Sequence, residues 1–407
     1  MQNNIMTNLP QGWKMETLGE ILSSDKYSIK RGPFGSALKK SFFVEKGIRI
    51  FEQYNPINND PHWKRYFISH EKFQELEAFK ATEGDLLISC SGTLGKIVEL
   101  PKDTEMGIIN QALLKIRLNN IKILNSYFIY YFNSPIMQEK ILESTLGSTI
   151  KNIASVKILK QIEIPLPPLK EQERIVGILD ESFAKIDESI KILEQDLLNL
   201  DELMQSALQK AFNPLKDNAK ENYKLPQSWE WKSLEEISEN ISAGGDKPKN
   251  CTESKTAKNQ IPVYANGVNN NGLVGYTDKA TIIKPSLTIS ARGTIGFVCI
   301  RKEPYFPIVR LISLIPCENI LCLHYLYFCL NFFIAKGEGS SIPQLTIPKF
   351  KSLQIPLPPL KEQEQIAEHL DFVFEKAKAL KELYTKELKD YEELKQSLLD
   401  KAFKGEL

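Results

Sequence analysis

An α+β fold is predicted, in which two similar mixed α/β domains are separated by two long antiparallel helices that form a coiled coil with approximate two-fold symmetry. The decapeptide Ile-Pro-Leu-Pro-Pro-Leu-Lys-Glu-Gln-Glu occurs twice, at 164–173 and 355–364. A charged, leucine-rich stretch follows each copy and ends in Ala-Phe, at 211–212 and 402–403. Both landmarks recur after 191 residues (355 minus 164, and 402 minus 211), so the chain is two halves in tandem and not a solenoid of short repeats.

The repeat divides the chain of 407 residues into five segments. They are a first domain at 1–165, a first long helix at 166–213, a linker at 214–224, a second domain at 225–357 and a second long helix at 358–407. Three further landmarks recur in the domains: Leu-Pro-x-x-Trp at 9–13 and 225–229, a strand–turn–strand pattern at 84–95 and 285–296, and a Gly-Ser-x-Ile motif at 147–150 and 339–342. Aromatic helical patterns at 125–134 and 323–331 complete the mixed domains. The segments 25–80 and 242–284 differ, as expected for one scaffold with two binding specificities.

Each long helix has clear limits in the sequence. The pairs Pro167-Pro168 and Pro358-Pro359 cannot lie inside a helix, so each helix begins after its pair. Pro214 ends the first helix, and Gly405 can cap the second. Each helix covers about 43 residues, or roughly 60 Å. Because domain termini usually lie close together, the second helix is expected to return antiparallel to the first.

Both helices carry a hydrophobic seam with alternating spacings of three and four residues, which is typical of a coiled coil. The predicted seam of the first helix is Leu179, Phe183, Ile186, Ile190, Leu193, Leu197, Leu200, Met204, Ala207 and Ala211. That of the second helix is Leu370, Val373, Ala377, Leu380, Tyr384, Leu388, Tyr391, Leu394 and Leu398.

Charge is distributed unevenly along the chain, although the net charge is only +1. Residues 1–163 carry 21 basic and 17 acidic side chains, and residues 214–354 carry 17 and 12. Residues 164–213 carry 5 and 10, and residues 355–407 carry 9 and 12. The domains are therefore basic and the helices acidic, which assigns phosphate binding to the domains and another partner to the helices.

Composition indicates an ordinary protein of the cytoplasm. Hydrophobic residues make up 42% of the chain, no apolar run reaches the length of a membrane span, and the first residues lack the pattern of a secretory signal. The six cysteines contain no C-x-x-C pair, so reduced thiols in the core are favoured over a metal site.

The motifs quoted above resemble the specificity subunits of type I restriction–modification systems, and the resemblance covers nearly the whole chain. The Gly-Thr-x-Gly turns at 92–95 and 293–296 belong to it as well. It implies that each domain is a target-recognition domain for one half of a bipartite DNA site. It further implies that the helices space the domains and dock modification (methyltransferase) subunits, two of them, and that restriction/translocase subunits join the complex. S-adenosylmethionine, ATP and Mg²⁺ would belong to those other chains, with no cofactor in this one.

The chain contains no recognisable catalytic motif, which favours a non-catalytic subunit. The stretch 92–97 has the wrong spacing for a phosphate-binding loop, and 60–63 lacks the second proline of an amino-methyltransferase loop. The four histidines are scattered, without the spacing of metal ligands. The alternative function is a protein-binding scaffold with duplicated interaction domains and no DNA role. A self-sufficient methyltransferase or nuclease is disfavoured by the missing motifs.

Candidate contact residues follow from loop chemistry. Arginine and asparagine match the edges of guanine and adenine, whereas lysine more often meets phosphate. The predicted DNA-binding residues are Lys30, Arg31, Ser36, Lys39, Lys40, Lys64, Arg65, Lys247, Lys249, Asn269, Asn270 and Arg292. The predicted subunit-interface residues, whose bulk favours a bundle of more than two helices, are Phe183, Ile190, Leu197, Phe374, Tyr384 and Tyr391.

Overall fold

The computed structural model describes residues 9–143, 153–212, 225–334 and 345–407. The predicted linker at 214–224 and the Gly-Ser-x-Ile motifs at 147–150 and 339–342 lie outside these ranges. The chain divides into two compact units: unit 1 contains residues 1–192 and 386–407, and unit 2 contains residues 193–385. Each unit thus holds one mixed domain and part of each long helix, and the segment boundaries derived from the sequence stay a prediction.

The helices and strands follow in chain order. The helices are α1 (Tyr54–Ile57), α2 (His70–Glu75), α3 (Asn125–Asn133), α4 (Pro135–Glu143), α5 (Val156–Leu159), α6 (Leu169–Phe212), α7 (Leu234–Ile237), α8 (Leu323–Phe333), α9 (Ile347–Lys351) and α10 (Leu360–Lys404). The strands of unit 1 are β1 (Lys14–Thr17), β2 (Ile29–Arg31), β3 (Phe43–Val44), β4 (Ile48–Phe51), β5 (Phe67–Ile68), β6 (Lys80–Ala81), β7 (Leu86–Ser89), β8 (Ile97–Glu99), β9 (Gly107–Ile109), β10 (Leu113–Ile116) and β11 (Glu163–Leu166). Those of unit 2 are β12 (Glu230–Ser233), β13 (Ser238–Ala243), β14 (Ile261–Tyr264), β15 (Leu273–Thr277), β16 (Ser286–Ile289), β17 (Val298–Arg301), β18 (Phe306–Pro307), β19 (Ile312–Pro316) and β20 (Gln354–Leu357).

The two units contain the same central sheet. Its strand order is β2-β10-β7-β8 in unit 1 and β13-β19-β16-β17 in unit 2, antiparallel throughout. In both units the predicted hairpin (β7–β8 and β16–β17) forms two strands of this sheet. The second sheets differ: unit 1 has five strands in the order β3-β5-β4-β9-β6, and unit 2 has three in the order β15-β14-β18. Most strands of these second sheets lie in the segments that diverge in sequence, so a common scaffold carries two different additions.

The duplicated decapeptide joins each domain to its helix. Its first residues form β11 and β20, which pair antiparallel with the opening strands β1 and β12. The helices α6 and α10 then begin directly after the proline pairs, as predicted. The Gln172 carboxamide is fully buried: it accepts a hydrogen bond from Leu124 N at 2.9 Å and donates to the carbonyls of Lys122 at 3.0 Å and Pro167 at 2.9 Å.

Unit 2 repeats this arrangement around Gln363. That carboxamide is fully buried, accepts from Cys322 N at 2.9 Å and donates to the carbonyls of Ile320 at 2.9 Å and Pro358 at 2.8 Å. A tyrosine hydroxyl also reaches the preceding strand in each unit: Tyr127 donates to Pro165 O at 2.8 Å, and Tyr325 donates to Pro356 O at 2.7 Å. The repeated glutamine is therefore explained by backbone groups that need a buried amide partner.

The Ala-Phe landmark at each helix end supplies a core side chain. Phe212 lies against Tyr325, Phe332 and Phe333 in unit 2, with ring centroids 5.5–6.2 Å apart. Phe403 lies edge-on to Tyr127 and Tyr131 of α3 in unit 1, at 5.3 and 5.1 Å. Gly405 then ends α10 with a φ of 75°, and a Cβ there would lie 2.1 Å from Pro10 Cγ. The capping role predicted for Gly405 is confirmed.

Within each unit the helix segments pair antiparallel. In unit 1, Arg174 Nη2 donates to Leu407 O at 2.9 Å, while Asp187 accepts from Lys395 Nζ at 2.5 Å. In unit 2, Lys381 pairs with Asp201. Four of the ten seam positions predicted for α6 are confirmed as buried at a spacing of seven residues: Leu179, Ile186, Leu193 and Leu200. The other six are half-buried.

The predicted seam of α10 is wrong at two positions. Leu380 and Leu394 are 38% and 45% exposed, whereas the next residues, Lys381 and Lys395, have less exposed side chains at 28% and 19%. A lysine can cover apolar surface with its methylene chain while its amine meets an aspartate on the facing helix. A seam read from apolar residues alone therefore misplaces these two leucines.

All six cysteines are free thiols, but only Cys90 and Cys329 are buried, so the predicted core location is wrong for the other four. Burial raises the pKa of Cys90 to about 12 and that of Cys329 well above its ordinary value. Because only the thiolate reacts, and because Cys90 is buried, native Cys90 is expected to react with iodoacetamide at pH 8 far more slowly than partly exposed Cys251. Mass spectrometry of labelled peptides measures this, and unfolding in urea should abolish the difference. Equal native rates would contradict the buried position.

Candidate nucleic-acid interface

Four loops of unit 2 meet on one surface, which we call the unit 2 loop cluster. They are 244–249, 265–272, 290–296 and 308–311. The bridge between Gly245 and Ile308 joins the first loop to the last. Gly244 N donates to Leu311 O, Val309 N to Gly245 O and Arg310 N to Gly244 O, each at 2.8 Å. A Cβ on Gly244 would lie 2.6 Å from the backbone of Pro307 and Ile308, so this close approach requires glycine.

One asparagine connects the remaining loops of the cluster. Asn266 Oδ1 accepts from Ala291 N at 2.8 Å, and Asn266 Nδ2 donates to Val309 O at 2.6 Å. Gly267 N also donates to Ser290 Oγ at 3.3 Å. Neither Asn266 nor Ser290 was among the predicted contact residues. The Asn-Gly pair at 266–267, a strong turn signal, was the clue available in the sequence.

A buried arginine supports the tip of the 265–272 loop. Arg301 is 8% exposed; its guanidinium lies 3.6 Å from the centre of the Tyr264 ring. Its Nε donates to Thr288 Oγ1 at 3.0 Å, and its Nη2 donates to Asn271 O at 2.5 Å. Asn270 and Asn271 both adopt left-handed conformations, with φ values of 46° and 53°, which asparagine tolerates better than most residues. The loop is thus a fixed turn.

The structure brings the predicted contact residues of unit 2 into this cluster. Lys247, Lys249, Asn269, Asn270 and Arg292 are all exposed on its loops. Arg310, which the sequence interpretation missed, is exposed on the fourth loop. Four cations face solvent in the cluster, together with the single acidic residue Asp246. Such a surface attracts polyanions and offers paired donors to base edges.

Unit 1 has a related but distinct arrangement. Gly32 N donates to Leu113 O at 2.9 Å, the counterpart of the Gly244–Leu311 bond, and a Cβ on Gly32 would lie 1.8 Å from Asn110 O. The chain then continues into the basic segment 33–42. Ser36, Lys39 and Lys40 are exposed there, beside Phe34, whose side chain is 66% exposed.

Two of the predicted residues in unit 1 lie on strand β2, half-buried. The Lys30 amine sits over the rings of Tyr27 and Phe79, at 5.4 and 5.1 Å from their centres. The Arg31 guanidinium lies 5.4 Å from the centre of the Phe34 ring. Arg31 therefore points toward the exposed segment, and Lys30 toward aromatic side chains of the domain itself.

The loop that carries Lys64 and Arg65 is fixed by hydrogen bonds from a buried arginine. Arg49, 2% exposed, donates from Nη2 to the carbonyls of Pro61 at 2.9 Å and Trp63 at 2.7 Å. Burial lowers the pKa of Arg49, while Glu105 and Asp60 oppose that shift. Lys64 itself forms an ion pair with Glu105, with both oxygens 2.8–2.9 Å from its amine. Lys64 is therefore partly neutralised, whereas the exposed Arg65 guanidinium lies 4.8 Å from the centre of the Tyr66 ring.

The predicted interface residues of the helices are half-buried. Phe183 packs edge-on against Tyr130 in unit 1, and Phe374 packs against Phe328 in unit 2, at 5.6 and 5.1 Å. Ile190, Leu197, Tyr384 and Tyr391 are likewise partly exposed. More strongly exposed apolar side chains occur elsewhere on the helices, at 45–61%: Ile192, Leu198, Leu203, Phe372, Leu383 and Leu394.

The described ranges carry neither a metal-binding cluster nor a membrane-spanning helix. Those residues contain no group of three or more His, Cys, Asp or Glu side chains that could hold a metal ion. Every helix within them is too short or too polar to span a bilayer.

Comparison with known proteins decides the family. The family model for the type I restriction modification DNA specificity domain matches this chain twice, at residues 10–197 and 226–389. The chain belongs to this family. The two matches together take in most of the chain, and the resemblance drawn from the decapeptide and the Gly-Thr-x-Gly turns is confirmed. The predicted class, a specificity subunit and not a catalytic chain, is confirmed with it.

Relatives and solved structures agree with this membership. A Mycoplasma pneumoniae protein described as a "putative type I specificity subunit" is 33% identical over 221 residues, which are 53% of this chain and 56% of that protein. The EcoBI specificity subunit of Escherichia coli is 23% identical over 79% of this chain and 73% of its own length. A chain from a structure concerned with complex assembly and conformational transition of the type I R-M system has a TM-score of 0.80, at 21% identity over 98% of this chain and 100% of its own. The HsdS subunit of Thermoanaerobacter tengcongensis has a TM-score of 0.65, also at 21% identity, over 98% of both chains. These likenesses confirm the predicted fold class.

Proposed function

We propose that this specificity subunit reads a bipartite DNA target, with one half taken by the domain at 1–165 and the other by the domain at 225–357. One observation carries the proposal: the same four-stranded sheet occurs in both units, and different exposed cationic loops are attached to it. A common scaffold explains why both domains can approach the duplex alike, and different loops explain two sequences. The protein would act in the cytoplasm, with the DNA.

The proposed DNA contacts are the exposed loop residues. Lysines 39, 40, 247 and 249 meet phosphate, while Arg31, Arg65, Asn269, Asn270 and Arg292 offer the paired or forked donors that read base edges. Ser36 adds a hydroxyl to the glycine-containing segment of unit 1. Lys30 and Lys64 contribute less, because aromatic rings and Glu105 already occupy their amines.

The helices dock the modification subunits in this proposal. Two features support it: the helical segments are acidic while the domains are basic, and the helices expose large apolar side chains that a partner would cover. The half-buried residues that would flank those contacts are Phe183, Ile190, Leu197, Phe374, Tyr384 and Tyr391. Two modification subunits would bring S-adenosylmethionine, and restriction/translocase subunits would bring ATP and Mg²⁺.

Exchange of residues 1–163 for those of a relative with a different target is expected to change one half of the methylated sequence and leave the other half unchanged. Sequencing of methylated sites in cells that express the hybrid with the modification subunit measures this. The matched control is the reciprocal exchange of residues 225–357, which should change only the other half. Alteration of both halves by one exchange would contradict two independent readers.

Binding in vitro supplies the second test of the proposal. Affinity of the complex for target DNA is expected to fall about 10³-fold or more between 50 and 200 mM salt, if six or more phosphates are neutralised. Fluorescence anisotropy with labelled duplex measures it. Absence of DNA binding by the complex, or binding whose affinity does not depend on salt, would instead favour the alternative of a protein-binding scaffold.

A further inference from the structure

The turn at Val309 and Arg310 is strained backbone on the exposed surface of unit 2. Both residues have positive φ values, 53° and 59°. A β-branched residue such as valine rarely adopts this conformation, because its side chain crowds the backbone. Such conformations persist when the surroundings over-determine them, and they cluster at ligand-binding sites.

The surroundings here do fix the turn. Both of its amides donate to the carbonyls of Gly244 and Gly245, and the Val309 carbonyl accepts from Asn266 Nδ2 at 2.6 Å. Leu311 N closes it with a bond to Ile308 O at 3.0 Å. Every polar backbone contact named here points inward, while the side chains of Val309 (52% exposed) and Arg310 face solvent. The turn thus fixes the backbone from which the exposed Arg310 side chain projects.

The neighbours of Arg310 are the loops proposed above to contact DNA. Its amide bonds to the glycine pair that begins the Lys247–Lys249 loop, and the Asn266 side chain ties the same turn to Ala291, next to Arg292. Lysines that hold phosphate beside a rigidly placed guanidinium form the usual division between positioning and base reading. A guanidinium fork best fits the O6 and N7 acceptors of guanine.

We propose that Arg310 reads a guanine edge in the half-site taken by unit 2, and that Asn266 is a positioning residue that sets the direction of Arg310. This inference rests on the proposed DNA-reading function. Arg301 is not the reader, because its guanidinium is buried and committed to Thr288, Asn271 and Tyr264. Asn266 acts through the backbone, since one carboxamide holds Val309 on one side and Ala291 on the other.

The first test compares Arg310→Ala and Arg310→Lys in the complex with its modification subunit. Both are expected to lose roughly 10- to 100-fold of the discrimination for one base pair in one half-site, since a bidentate pair is removed. Arg310→Lys keeps the charge but lacks the fork, so it should bind non-target DNA about as tightly as the parent protein while it loses this discrimination. Lys302→Ala, an exposed cation at the far end of β17, is the control and should leave the methylated sequence unchanged.

The second test replaces Asn266. Asn266→Ala removes the hydrogen bonds to Ala291 N and Val309 O. It is expected to lower the discrimination at the same base pair as Arg310→Ala, and the double variant should lose no further discrimination. Asn266→Asp keeps the acceptor for Ala291 N but loses the donor to Val309 O, so it should relax that position too. Methylated-site sequencing and melting curves are measured together, and the unit 1 half-site must stay unchanged in every variant.

The possible results distinguish failure of the Arg310 and Asn266 roles from failure of the proposed DNA-reading function. If the parent complex reads two half-sites and the Arg310 variants keep full discrimination in both, the inference is overturned and the function stands. Relaxation of several base pairs by Asn266→Ala, in proportion to a fall in melting temperature, would overturn the positioning role. If the parent complex shows no sequence preference, the proposed function itself fails.

Discussion

Replacement of Phe403 by alanine is expected to lower the free energy of unfolding by about 3–5 kcal/mol, the range for a buried aromatic side chain. Phe403 is fully buried, and its ring contacts Tyr127 and Tyr131 edge-on in the core of unit 1. Ala402 and Leu399 belong to the same core. The substitution therefore leaves a cavity between the end of α10 and helix α3. Urea unfolding followed by circular dichroism measures the loss.

Phe372→Ala is the matched control for this prediction. Phe372 lies on the same helix, but 61% of it is exposed, so its removal should change stability by less than about 0.5 kcal/mol. Phe212→Ala, the counterpart in unit 2, should cost as much as Phe403→Ala. Similar stability of the Phe403 and Phe372 variants would contradict the packing described for unit 1.

The second large effect is expected from Gln363→Glu. The buried carboxamide donates to two backbone carbonyls, and a carboxylate there would face both of them with no proton to offer. An uncompensated buried charge typically costs about 3–5 kcal/mol. Burial would raise the pKa of the introduced carboxyl group above its unfolded value. The loss is thus small below the unfolded pKa and grows as pH rises to the folded pKa.

Chemical unfolding at several pH values between 4 and 8 tests this dependence. Gln363→Leu is the uncharged control: it leaves the same carbonyls unpaired, so it should cost about 1–3 kcal/mol at every pH. A Gln363→Glu loss that is the same at both ends of the range would show that the side chain reaches water. Gln172→Glu should repeat the behaviour in unit 1, where the side chain binds three equivalent backbone groups.

Local signals made much of the fold predictable. Proline pairs fixed the start of α6 and α10, the glycine-bracketed pattern gave the hairpins, and heptad spacing gave the α6 seam. Each of these signals depends only on residues close together in the sequence. The role of Gln363 was not predictable in this way, although the decapeptide drew attention to it. Its partners Cys322 and Ile320 lie about 40 residues away, and only the folded chain brings them together.

The exposed residues of the candidate site were predictable from residue type, but the buried residues that hold its loops were not. Exposed lysines and asparagines in glycine-containing loops were found because their chemistry is visible in the sequence. Arg49 and Arg301 looked like any other cation, yet both are buried beneath loops and hold backbone carbonyls. Arg310 was missed because it follows an apolar run, and the left-handed turn that exposes it depends on Gly244, 66 residues earlier (310 minus 244).

The position of Phe403 has a consequence for biosynthesis. Tyr131 leaves the ribosome 272 residues before Phe403 (403 minus 131), a delay on the order of 15 to 55 s at ordinary translation rates. During that interval the aromatic pocket on α3 stays unfilled, because Phe403 has not yet been synthesised. We expect the nascent N-terminal domain to associate with chaperones until synthesis passes Phe403, after which the pocket closes.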